Sequence, residues 1–204
     1  MKALPKKLLP LTLFAIAVTS VFCIQPAQGF TMTLQQVGFN VVANGSGAFN
    51  LSGLTGIGNA SSASGVRPFI AFIGIQPVPG PLPEYAGITG PNNFGSSDDL
   101  FVANTSNGDA VAISGDNQLL VVQVGYVSGN ALSDSMTFKD TTLASLGVTP
   151  GTYVWTWGTG LVNQSFTLKI GSLGVPGVPD GGSTVSLLGC ALLGLAALRR
   201  KLSC

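Results

Sequence analysis

Gly151-Thr152-Tyr153-Val154-Trp155-Thr156-Trp157 and, after a glycine-bearing turn over 158–163, Ser165-Phe166-Thr167-Leu168-Lys169-Ile170 alternate large apolar and small polar residues with a period of two. Successive side chains of a strand point to opposite faces. The spacing therefore predicts one strand with Tyr153, Trp155 and Trp157 on a common face and a second with Phe166, Leu168 and Ile170 aligned. The short connection pairs them as a hairpin whose aromatic face packs into a sandwich core. Aromatic stripes also line sugar-binding surfaces, so Tyr153, Trp155 and Trp157 are at the same time candidate sugar contacts. Solvent exposure of the two indoles separates these readings.

Upstream, period-two patterning continues. Residues 31–42 read as one strand whose phase shifts across Gln35-Gln36, the pattern a β-bulge near Gln35 would give. Residues 48–54 form a shorter candidate, 67–75 a nearly continuous apolar run suited to a buried strand, and 119–124 another. Pro77, Pro79, Pro81 and Pro83 interrupt the chain between them, because proline cannot donate to a strand ladder. Asp140 is placed to cap a short helix over 141–146 that Gly147 closes, and Thr149-Pro150-Gly151 to form a turn with Pro at its second and Gly at its third position. Many short strands with Gly- and Pro-rich turns give an all-β chain, a single β-sandwich body of jelly-roll or immunoglobulin-like type over 30–172. That length suffices for one core.

Charge is distributed unevenly. Lys2, Lys6, Lys7, Arg199, Arg200 and Lys201 lie at the two ends, leaving residues 30–180 with three basic against eight acidic residues, a net charge of −5. Such a body lacks the cations that neutralise phosphates, so no nucleic-acid partner is expected. The chain has no His, and Cys23, Cys190 and Cys204 all lie in the terminal segments. Triads that need His or Cys, thiolate metal sites and internal disulfides are thereby excluded from the body. The carboxylates Glu84, Asp98, Asp99, Asp109, Asp116, Asp134 and Asp140 show no spacing that marks a glycosidase. Asn104, Asn107, Asp109 and Asp116 supply oxygen ligands of the kind Ca²⁺ takes, without the spacing of a known calcium loop. No cofactor or metal site is expected, and no enzyme. Beyond Thr31-Met32-Thr33 and Thr156 no Thr-x-Thr ladder is present.

The ends carry routing signals. Lys2, Lys6 and Lys7 precede an apolar run over 8–24 and then Ala27-Gln28-Gly29, the layout of a secretory signal peptide over 1–29 with cleavage after Gly29. Cys23 follows bulky Val21 and Phe22, unlike a lipidation site. At the other end, a linker over 173–182 leads to an uncharged run and the basic stop Arg199-Arg200-Lys201. The apolar core over 185–198 has fourteen residues, short of the ~20 that span a bilayer comfortably. Basic residues flanking apolar helices stay cytoplasmic, so the body between them is expected outside.

Val178-Pro179-Asp180-Gly181-Gly182, the short Leu/Ala/Gly helix over 183–204 and its basic end resemble the PEP-CTERM class of sorting tails, most closely the VPDSG-CTERM variant, with Gly181 standing where the variant has Ser. The resemblance implies a bacterial surface or extracellular-matrix protein. It also implies an exosortase-like membrane protease or transpeptidase as partner, with residues 178–182 as the motif it recognises. The C-terminal helix would hold the protein transiently at the inner membrane before release to the cell surface or matrix. The Gly-Thr-Tyr-Val-Trp-Thr-Trp-Gly run and the Ser-Phe-Thr-Leu-Lys-Ile close are similar to small surface proteins of that class. The alternative function is a carbohydrate-binding module of the matrix, with extracellular polysaccharide as ligand.

Overall fold

A computed structural model describes residues 29–172. The segments read as signal peptide, linker and sorting helix lie outside the described residues, Gly29 excepted. Two sheets make up the body. The first has six strands in the order β12 (Gly151–Thr156), β13 (Ser165–Ser172), β1 (Phe30–Val37), β2 (Asn40–Gly47), β11 (Leu132–Phe138), β8 (Thr105–Gly108). The second has seven, β3 (Thr55–Ala60), β6 (Leu82–Ala86), β10 (Leu119–Val122), β9 (Val111–Ser114), β5 (Phe72–Ile75), β4 (Gly65–Arg67), β7 (Phe101–Val102). Every pairing is antiparallel except that of β1 with β13. Among the described residues no helix is long and apolar enough to cross a membrane. The expected all-β, sandwich-like class therefore stands for the body.

The core forms between the sheets. Phe30, Met32, Leu34, Val41, Ala43, Phe166 and Leu168 from the first face Ile73, Ile75, Val111, Ile113, Leu120 and Val122 from the second, all of them essentially inaccessible. Along β1 the alternation is strict, because its outer face is open to solvent. On β9 and β10 consecutive residues are buried, since Leu82, Phe72, Ala112 and Val121 make a smaller cluster on the sheet's other face.

The predicted hairpin of β12 and β13 is present, and its register sets Trp155 opposite Phe166. Other expectations are corrected. The phase shift in 31–42 is a chain reversal and not a bulge: β1 and β2 pair across a turn at Gly38-Phe39, where Gly38 takes φ 60°. Residues 48–54 form no strand; their backbone is held by loop partners, Phe49 N–H by the Tyr126 hydroxyl (2.7 Å) and Leu51 N–H by Ser128 Oγ (3.0 Å). The run 67–75 is broken by Pro68, which starts a 3₁₀ turn over Pro68–Ile70 and is followed by Ala71 at φ 51°. Proline's missing N–H would leave a ladder position empty, so β4 ends there and β5 returns antiparallel.

Pro77, Pro79 and Pro81 do lie outside strands, but Pro83 sits within β6, at a position where the ladder to β10 has already ended at Glu84. The helix expected over 141–146 is a single turn capped by Thr142, not Asp140. Thr142 Oγ1 accepts from Ser145 N–H (3.0 Å) and Ser145 Oγ from Thr142 N–H (2.9 Å), a reciprocal box of the kind that opens helices. Asp140 is itself left-handed at φ 48° and so belongs to the reversal after β11. Gly147, at φ 67°, closes the turn as expected. Gly151 is not left-handed and begins β12.

Candidate functional site

The aromatic stripe is core. Trp155 is wholly buried, stands edge-on to Phe166 (centroids 5.8 Å) and donates its indole N–H to the Pro91 carbonyl (2.8 Å). Gly90 and Gly115 lie so close to its ring that a Cβ at either would meet it. Trp157 is 5% exposed, packs on Phe49 and donates to the Asn50 carbonyl (2.8 Å). Tyr153 is half-buried against Phe94 and donates to the Thr149 carbonyl (3.0 Å). Neither indole keeps a free face, so the candidate sugar platform built from Trp155 and Trp157 does not form. A cavity of about 780 Å³ opens beside Trp157, walled by Thr89, Thr156, Gly158, Val162, Asn163 and Gln164, with no ionisable side chain in its lining.

The opposite face of the six-stranded sheet carries a different array. Register aligns Val154, Thr167, Thr31, Ser46 and Ser133 in one cross-strand row. Thr152, Lys169, Thr33, Asn44, Ser135 and Asn107 form the next, which crosses all six strands. At a strand spacing near 4.8 Å, that row extends roughly 24 Å. Its centre is a shallow depression of about 510 Å³ lined by Thr31, Thr33, Asn44, Ser46, Asn107 and Ser135 among others. The sequence showed only Thr31-Met32-Thr33 and Thr156 because these residues are neighbours across strands, not along them.

One carboxylate is out of place. Asp134 lies on the inward face of β11 between Leu132 and Met136, is 5% exposed, and neither of its oxygens has a hydrogen-bond partner. Glycines opposite it on both neighbouring strands, Gly45 on β2 and Gly108 on β8, leave the space it occupies; a Cβ at Gly45 would run into Asp134 Oδ1. Burial, with the negative charge of Asp109 adding to it, pushes its pKa up to about 7. The Gly45 N–H opposes that rise only weakly, without making a hydrogen bond to either oxygen. Asp109 stands at the end of β8 and accepts from Ser133 N–H (2.7 Å).

Most of the oxygen-bearing residues of the kind Ca²⁺ takes are engaged in strands or loop hydrogen bonds, with Asn107 in β8 opposite Ser135. Asn104 Oδ1 accepts from Lys139 N–H (2.7 Å), Asp109 from Ser133, and Asp116 sits in the turn after β9. Among the described residues no group of three or more acidic side chains is arranged around a common point. Asp98 meets Arg67 Nε at 3.0 Å in an exposed ion pair.

Signal-cleavage residue Ala27, the motif Val178-Pro179-Asp180-Gly181-Gly182 and the basic stop Arg199-Arg200-Lys201 lie outside the described residues. Gly29, which the signal reading puts at the cleavage junction, is enclosed: a Cβ there would collide with the Ser165 carbonyl. The last described residue, Ser172, ends β13 six positions before Val178. No curated protein and no solved structure is matched by this chain. A family model does match its end: residues 177–202 fit the VPDSG-CTERM motif, which makes this a chain with a C-terminal sorting-tail motif following directly on a two-sheet β body.

Proposed function

We propose that the chain is an exported, non-enzymatic surface or matrix protein of a bacterium, delivered through its tail to an exosortase-like membrane protease or transpeptidase. The observation that carries this reading is the motif match over 177–202, five residues beyond the final strand. The motif region 178–182 serves as the processing site, the apolar run over 185–198 as a transient inner-membrane handle, and Arg199-Arg200-Lys201 as its cytoplasmic stop. Enclosure of Gly29 against Ser165 fits export as an unfolded chain, since the junction after Gly29 is reachable by a peptidase only before the body closes over it. Intact mass of the protein recovered from its host, with and without the candidate processing enzyme, tests the proposal. Loss of everything beyond the 178–182 region only when the enzyme is present is the expected result. An identical tail-bearing mass in both strains would leave a permanent tail anchor instead.

A second reading is favoured by the outer face of the six-stranded sheet. Its rows of hydroxyl and amide side chains, with Lys169 the single charge in the two rows, suit a neutral extracellular polysaccharide bound through hydrogen bonds. Asn44→Ala with Asn107→Ala removes two amides from the central depression. The expected outcome is at least a ~10-fold loss of retention on a neutral polysaccharide matrix with no change in fold, taking two side-chain hydrogen bonds at about 1 kcal/mol each. Unchanged retention, or none by the parent, would remove this reading.

A further inference from the structure

β1 and β13 run parallel as neighbours, with Ser172 beside Gln36. The chain therefore leaves the body travelling toward the β1–β2 turn. That turn presents Phe39 at 86% exposure and Val37 at 45%. It is fixed in place: the Gln36 amide donates to the Gly38, Asn40 and Thr141 carbonyls (3.0, 3.0 and 3.1 Å), and Gln36 Oε1 accepts from Leu143 N–H (3.1 Å). Thr141 N–H donates to the Phe39 carbonyl (2.9 Å) and Asp140 N–H to Asn40 Oδ1 (3.1 Å). A large apolar ring is thus held outward by a clasp of hydrogen bonds, at the same end of the molecule as the exit to the tail.

Twelve residues, 173–184, separate Ser172 from the apolar run that starts at Val185. Even fully extended they reach no more than about 40 Å. With that run seated in a bilayer, the exit pole is the one tethered nearest the lipid. We infer that the turn at Val37-Gly38-Phe39 is a membrane contact of the tail-bearing protein, with the Phe39 ring entering the headgroup region. This inference rests on the sorting-tail reading above. The charged residues at the turn, Lys139 and Asp140, are exposed and opposite in sign, so the contact is apolar and not electrostatic. One ring binds a bilayer weakly, but the tether makes the contact intramolecular and raises its effective concentration. The body then stands with its exit pole down, keeping the 178–182 motif next to the surface, and lifts away once the tail is removed.

The test uses the tail-bearing protein as it stands after removal of residues 1–29, reconstituted in phosphatidylethanolamine–phosphatidylglycerol vesicles, with Phe39→Trp at the tip and Val162→Trp as control. Val162 is 63% exposed on the β12–β13 loop, at the opposite pole. Emission is read as the difference from the parent, whose Trp155 and Trp157 are buried. Flotation with the vesicles reports the tail; quenching by brominated acyl chains reports the tip. The expected result is flotation of all three proteins, with F39W emission falling about two-fold on bromination, as for a ring ~5–10 Å into the interface, while V162W is unchanged. Flotation with F39W unquenched, or quenched no more than V162W, overturns the contact and leaves the tail reading intact. A blue-shifted but unquenched F39W reports burial against another copy and also overturns it. Failure to float overturns the tail reading and the contact with it.

Discussion

Trp155→Ala is expected to destabilise the body by about 3–5 kcal/mol, the range for removing a large buried aromatic. Domains of this size are stable by only about 5–15 kcal/mol in total. The indole is wholly buried, sits edge-on to Phe166, and is enclosed by glycines at 90 and 115 that leave no side chain to collapse into the hole. Loss of its N–H also leaves the Pro91 carbonyl without its donor. Trp155→Phe keeps most of the volume and should cost roughly half as much. Urea midpoints of the two variants, followed by near-ultraviolet circular dichroism, check the order. Equal stability of Trp155→Ala and the parent would refute the core role of the stripe.

Asp134→Asn is expected to raise stability above neutral pH. The folded-state pKa of Asp134 is about 7, against 3.8 for an ordinary side chain. Between those values the unfolded chain has released its proton while the folded body still holds it, so stability falls as pH rises from about 4 to about 7 and is level above that. A shift of this size corresponds to roughly 4 kcal/mol as an upper bound. An amide in the same site still lacks partners, so the net gain expected at about pH 8 is nearer 2 kcal/mol, shrinking toward zero near pH 4. The check is the urea midpoint of both proteins at the two pH values. If Asp134→Asn leaves the pH slope as steep as in the parent, another group is its source.

How far the sequence could be read depended on what kind of neighbour each residue has. The β12–β13 hairpin was legible because its alternation and its turn lie in one continuous stretch. The β1–β2 reversal was not, since Gln35-Gln36 and Gly38-Phe39 shift phase in the same way a bulge does. What fixes the turn is made by partners distant in sequence, such as Gln36 bonded to Thr141 and Leu143 more than a hundred positions away. Residues 67–75 misled for another reason: Phe69 and Ile70 are apolar although Phe69 is 57% exposed, so apolar character ran unbroken from Pro68 into β5. Asp134 could not be singled out among the acids, as its environment is made by glycines on two other strands.

The sequence by itself determined the strand chemistry of the body and the absence of His and Cys chemistry within it. It also determined the tail signal, because composition and a local motif survive in one dimension and depend on no contact. Tertiary structure decided everything that depends on which strand lies beside which. Pairing turned the indoles inward, away from any sugar, and brought scattered Thr, Ser and Asn residues into rows across six strands. It also put Phe39 at the end where the chain departs, since parallel β1 and β13 must finish at the same pole.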